Sequence, residues 1–149
     1  MKQSPSKLTL NNLLAVAVTS LLLGGCASSG GYGSKAAEPS QSVSFVEPKN
    51  GATVGQEFKV VMGVKGMEVK PAGDMTTNTG HHHLLIDETP IAEGVVVPTS
   101  PKHLHFGKGQ TETTVKLAPG KHTLMLQFAN GSHQSYGEKM RSQITVEVK

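Results

Sequence analysis

From Val43 onward, apolar and polar residues alternate with a period of two, in short runs broken by turn signals. Residues two apart on a strand share a face, so this alternation predicts half-buried β-strands. The first run is Val43 through Val46, followed by an Asn-Gly turn in Pro48-Lys49-Asn50-Gly51. Phe58, Val60, Met62 and Val64 then fall on one face, with Lys59 and Lys65 on the other. Residues 66–80 hold Pro71, Gly73 and Asn78 and read as a long loop, a kind of segment that is commonly functional or mobile. After a strand over Gly80–Asp87, three prolines (Pro90, Pro98, Pro101) surround Val95–Val97, which suits an edge or a connector. Thr111, Thr113, Val115 and Leu117 mark a further strand, and Pro119-Gly120 turns it back into His122, Leu124, Leu126 and Phe128. Asn130-Gly131 turns again, and Ile144, Val146 and Val148 close the series. No stretch sustains a 3.6-residue period. Six or seven short strands in about a hundred residues predict an all-β, immunoglobulin-like two-sheet sandwich over 43–149.

Two of these runs carry five of the seven histidines, GHHHLLID at Gly80–Asp87 and KHLHFG at Lys102–Gly107. By parity, His82, Leu84 and Ile86 form one set and His81, His83, Leu85 and Asp87 the other. The set with two aliphatic residues is expected to face the core. In the second run Leu104 and Phe106 oppose His103 and His105. Each segment therefore offers a His-x-His pair on its polar side. Were the segments neighbours, opposed Cβ atoms would stand about 4.5–5.5 Å apart, and His81, His83, His103 and His105 would converge. Grouped imidazoles repel once protonated, whereas neutral imidazole ligates zinc, copper and nickel.

The expectation is accordingly a transition-metal site, copper or zinc, on those four histidines. His82 and His122 are in phase with core residues and read first as hydrogen-bonded core histidines. Together with Asp87 they are also candidates to hold a ligand's second ring nitrogen. His133, in the turn GSHQS, is given no role. Met67, Met75 and Met125 are possible thioether donors that would favour cuprous ion, although methionine commonly just fills gaps.

The first residues bear on location. Lys2 and Lys7 precede an apolar run from Leu8 to Leu23 that ends in Gly24, Gly25 and Cys26, the layout of a secretory signal rather than a membrane span. Leu23-Gly24-Gly25-Cys26 resembles the bacterial lipobox. That resemblance implies cleavage after residue 25, lipid on the Cys26 thiol, and a membrane-anchored protein of the cell envelope. Ala27 and Ser28, with no aspartate after the cysteine, imply the outer membrane. Residues 26–42 are rich in Ser, Gly and Ala and are expected to act as a flexible tether with a span of roughly 20–24 Å. With its one cysteine so used, the chain has no disulfide, thiolate metal site or cysteine nucleophile to offer.

The formal charge of +3 falls to +1 when Lys2 and Lys7 leave, and the basic residues are scattered, which argues against nucleic acid as a partner. GKGQT at Gly107–Thr111 lacks phosphate-loop spacing and a following helix. No G-x-S-x-G elbow occurs, and the acids are not paired for glycosidic chemistry.

GHHHLLID, HLHFGKGQTE and PGKHTLMLQ together resemble a family of small bacterial exported domains of unknown function, over about Phe45–Val148. The resemblance implies a periplasmic or surface β-sandwich and transfers no activity. Glu47 through Val54 also resembles the first turn of periplasmic copper-resistance sandwiches, whose amino-terminal histidine has no counterpart before His81. The reading that follows is a lipid-anchored metal binder for storage, delivery or buffering. The alternatives are a metal-dependent enzyme or a metal-free interaction module docking an envelope protein or surface. With no Trp and six other aromatics mostly in core phase, a glycan platform is disfavoured.

Overall fold

The computed structural model describes residues 40–149; the predicted signal 1–25, Cys26 and most of the tether lie outside the described residues. Among the described residues nine strands follow in order: β1 (Ser42–Glu47), β2 (Ala52–Val54), β3 (Glu57–Lys65), β4 (Glu68–Val69), β5 (Thr79–Ile86), β6 (His103–His105), β7 (Glu112–Lys116), β8 (Gly120–Ala129) and β9 (Arg141–Val148). A 3₁₀ turn, Gly137–Met140, leads into β9. β1, β3 and β7 make a three-stranded sheet in the order β1-β3-β7. The second sheet runs β2-β9-β8-β5-β4, with β6 also paired to β5. The protein is the expected all-β sandwich.

The alternation read from the sequence becomes the packing between the layers. Val43, Phe45, Val60, Met62 and Val115 from the smaller sheet meet Leu84, Ile86, Leu124, Leu126, Phe128, Ile144, Val146 and Val148 from the larger. Their chain neighbours point outward, as Ser44 and Val46 do on β1 and Gln143 and Glu147 on β9. The expected turns at Asn50-Gly51 and Asn130-Gly131 fall between strands. The 66–80 loop contains β4, which runs parallel to the start of β5 with Val69 opposite Gly80.

β5 departs from the half-buried pattern, because every residue of it is buried. One face carries His82, Leu84 and Ile86 into the main core. The other, expected to be polar and solvent-facing, lies beneath a second apolar cluster of Leu85, Val97, Met125 and Ala129, with Ile91 packed against it. The proline-marked connector supplies this cover. Val97 N–H donates to His133 O (2.9 Å) and Ser135 N–H to Val95 O (2.9 Å), so the connector is fastened onto the turn that follows β8. A strand covered on both faces normally reads as a continuous apolar run. Here three of its eight positions are histidine.

Candidate metal centre

The site is set by the register of β5 with its two neighbours. β6 is antiparallel to β5 with His105 opposite His83, and β8 flanks the other edge with Ala129 opposite His81 and Gln127 opposite His83. Opposed residues share a face, so His81, His83 and His105 project on the same side. β8 then ends in a tight turn built on Asn130, whose Oδ1 accepts from Ser132 N–H (2.9 Å) and Gln134 N–H (3.0 Å). This turn folds His133 back over His81. His133 adopts a left-handed backbone (φ 65°), an unfavourable conformation for a residue with a Cβ, fixed by the Asn130 bonds and by its own N–H to Asn130 O (2.8 Å).

The result is four imidazoles in mutual contact. Ring centroids of His81, His83, His105 and His133 are 4.8–5.9 Å apart in every pairing. His83 Nε2 lies 3.1 Å from His81 Nε2, and His133 Nε2 lies 3.2 Å from His105 Nε2. One ring nitrogen from each of His81, His105 and His133 comes within 4.8 Å of the others, close enough for the three to hold one metal ion. Tetrahedral nitrogen ligands at about 2.0–2.1 Å from an ion stand about 3.3 Å from each other, close to the two Nε2 pair separations.

Burial grades the cluster from floor to mouth. His81 and His83 are 0% and 2% exposed, His133 is half-buried and His105 is exposed. Burial first, then the neighbouring imidazoles, pushes His81 down to about 4 and His83 to about 3. Burial and His133 lower His105 as well. At neutral pH the floor rings are therefore uncharged, each with a lone pair to offer. The Nδ1 atoms of His81 and His83 have no hydrogen-bond partner among the described residues, nor has Gln127 Oε1, although Gln127 Nε2 donates to Gly137 O (3.0 Å). Buried polar atoms of native proteins are nearly always paired with protein, water or an ion.

Two glycines allow the close approach. A Cβ on Gly107 would overlap the His105 ring, and one on Gly131 would overlap the backbone of Asp74.

A family model described as Domain of unknown function (DUF4399) matches residues 60–149, a stretch that contains all seven histidines. The chain belongs to this family. No curated protein matches the chain. Among solved structures, an endo-β-1,4-mannanase from Thermotoga petrophila is similar at 16% identity with a TM-score of 0.43, over 73% of this chain and 20% of that one.

Within this DUF4399 domain, the structure brings together His81, His83 and His105 of the residues expected to ligate, but not His103. The register that sets His105 against His83 places His103 opposite Leu85, four residues along β5 from His81. Its ring nitrogens find no partner among the described residues, and its place in the group is taken by His133. Sequence reasoning passed over His133 because it lies in a turn, where strand parity has nothing to say. The signal was the turn's position: once GHHHLLID pairs with LMLQFA, the residues after Ala129 must pass beside His81.

The three residues considered as supports for the ligands stand elsewhere. His82 faces the main core with its ring 5.0 Å from Phe128. It is buried as expected, but neither ring nitrogen has a hydrogen-bond partner among the described residues. Asp87 and His122 pair with each other beyond the far end of β5. His122 Nδ1 is 2.7 Å from Asp87 Oδ2, His122 Nε2 is 3.0 Å from Ala118 O, and Thr123 N–H donates to Asp87 Oδ1 (2.8 Å). Asp87 lies four residues beyond His83, just past the end of β5 and about 13 Å away at strand rise, so the pair cannot orient the cluster.

Of the methionines considered as donors, Met125 is buried in the outer cluster and Met67 packs against the main core. Met75 is 62% exposed, with Sδ 3.3 Å from Ser132 Oγ.

Proposed function

We propose that this domain binds a transition-metal ion, copper or zinc, through His81, His105 and His133, with His83 beneath them as a fourth donor. The observation that carries the reading is the convergence of four imidazoles with Nε2 atoms at ligand spacing, two of the rings fully buried, on a face where apolar residues would pack better. A solvated polar face explains exposed histidines, but it does not explain two that are fully covered. The role is carriage: storage, delivery or buffering of the ion. His105 and His133 at the mouth give the ion a way in, and His81 and His83 hold it from water. The lipobox-like Leu23–Cys26 and the tether that follows support a location in the cell envelope, anchored by lipid to the outer membrane and facing the periplasm, where a protein partner would supply or receive the metal.

The test is elemental analysis of protein purified without an affinity tag and exposed to copper or zinc at neutral pH, beside a His81→Ala/His133→Ala variant. One ion per chain, lost in the variant while its circular dichroism is unchanged, is the expected result. Wild-type protein that retains neither metal after desalting refutes the reading.

A further inference from the structure

The cluster leaves open which ion it is built for, and the segment that lies across its rim bears on this. Residues 71–75 are tied to the backbone beside both outer histidines. Ala72 N–H donates to Gly107 O (2.9 Å), two residues beyond His105, and Gly73 N–H donates to Gly131 O (2.9 Å), two residues before His133. The approach at Gly131 is close enough that a Cβ would overlap the Asp74 backbone. This segment ends in Met75, whose sulfur accepts from the hydroxyl of Ser132, the residue next to His133 (3.3 Å).

The other methionines among the described residues do the usual work of the side chain. Met62, Met125 and Met140 are 1–3% exposed and Met67 packs on the core. Met75 alone of these is left in solvent, at 62% exposure, on a segment otherwise fastened to its surroundings at two backbone points. Packing does not account for it. A thioether is soft and uncharged, and among the ions an imidazole cluster would take, it favours cuprous copper over zinc. Its three rotatable bonds let the sulfur leave the Ser132 hydroxyl without moving the backbone.

Building on the metal reading above, we infer that Met75 is a thioether ligand at the mouth of the histidine cluster and that the site's cargo is cuprous copper. Imidazoles from His105 and His133 and the Met75 sulfur then form a soft outer donor set over the buried His81 and His83. The loop 71–75 is bonded beside both outer histidines and holds the sulfur at Ser132, next to His133, which gives this segment its purpose.

The experiment compares the full chain with Met75→Leu, a change of similar size at an exposed position. Cuprous ion is supplied without oxygen in competition with a chromogenic cuprous chelator, zinc affinity is measured in parallel, and copper-edge X-ray absorption reads the ligands. Cuprous affinity is expected to fall about tenfold or more in the variant while zinc affinity changes less than about twofold, with copper–sulfur scattering present in wild type and absent from the variant. Equal cuprous affinities, or wild-type copper without a sulfur ligand, overturn this inference and leave the histidine site standing. Wild-type protein that takes zinc but not cuprous ion also overturns it alone. Protein that takes neither overturns the histidine site as well.

Discussion

Replacing His82 with leucine should make the protein more stable, against the usual direction for a fully buried residue. His82 is 0% exposed, lies opposite Phe128 on β8, and has neither ring nitrogen paired among the described residues. A neutral imidazole carries one donor and one acceptor, and leaving such a group buried without a partner costs about 1–3 kcal/mol in proteins. Leucine has similar volume and keeps the contact with Phe128, so His82→Leu should raise the unfolding free energy by about 1–3 kcal/mol at pH 7.

The gain should grow in acid. Burial pushes His82 down to about 4, below the ordinary value near 6.5 that it regains on unfolding. Between these values the unfolded chain holds a proton that the folded one lacks, so stability falls as pH drops, by up to about 1.4 kcal/mol per pH unit. The advantage of His82→Leu should therefore widen by about 2 kcal/mol between pH 7 and pH 5. Guanidinium unfolding at both pH values, with a chelator present so that bound metal adds nothing, reads this directly. A variant less stable than wild type, or an advantage that stays constant with pH, refutes the reasoning.

Three further outcomes follow from particular contacts. His133→Ala should abolish stoichiometric metal uptake while His103→Ala leaves it in place, checked by elemental analysis; the reverse pattern would restore the ligand set expected from strand parity. Gly131→Ala should destabilise by about 1–3 kcal/mol, because the new methyl overlaps the Asp74 backbone and forces the 71–75 segment off the turn, and thermal melts would show it. Asp87→Asn should cost stability chiefly between about pH 4 and 6.5. The hydrogen bond to Asp87 raises His122, a contribution present below the ordinary imidazole value and lost as pH climbs through the raised one. Although burial opposes it, His122 and Thr123 N–H hold the Asp87 carboxyl below its usual range, a contribution present above the ordinary carboxylate value and lost as pH falls through the lowered one. A wild-type-minus-variant difference independent of pH would refute this.

The main core could be read from the chain because its residues report on one interface. Val60 and Met62, Leu124, Leu126 and Phe128, and Ile144, Val146 and Val148 all keep a period of two, and all face the opposite sheet. The outer face of β5 could not be read in this way. His81, His83 and Leu85 look like a solvent face by alternation, and nothing local to GHHHLLID announces that Val97 and Ile91 fold over it. The proline spacing of 90–101 correctly marked a connector but not where it lies. His-x-His spacing found His81, His83 and His105 because strand pairing preserves parity. It misplaced His103 because pairing also has a register, and a register with His105 opposite His83 leaves His103 against Leu85. His133 depends on a turn's left-handed residue, which belongs to neither period.

The consecutive histidines of β5 form an internal comparison that separates folding from function. His81, His82 and His83 have the same chemistry, nearly the same burial and adjacent places on one strand. In each, burial is the first cause that holds the ring below its ordinary value. They differ in company. His82 meets Phe128 and the main core, where an ion has no second ligand to find. His81 and His83 meet each other, His105 and His133. If histidine on this strand were only an indifferent filler, leucine at any of the three positions would stabilise by the same route. On the metal reading, leucine at 81 or 83 also stabilises the metal-free protein, yet it removes the increment that a bound ion adds through its preference for the folded state. The presence or loss of the stability increment on adding metal, measured across the three leucine variants, thus distinguishes a costly core histidine from a ligand.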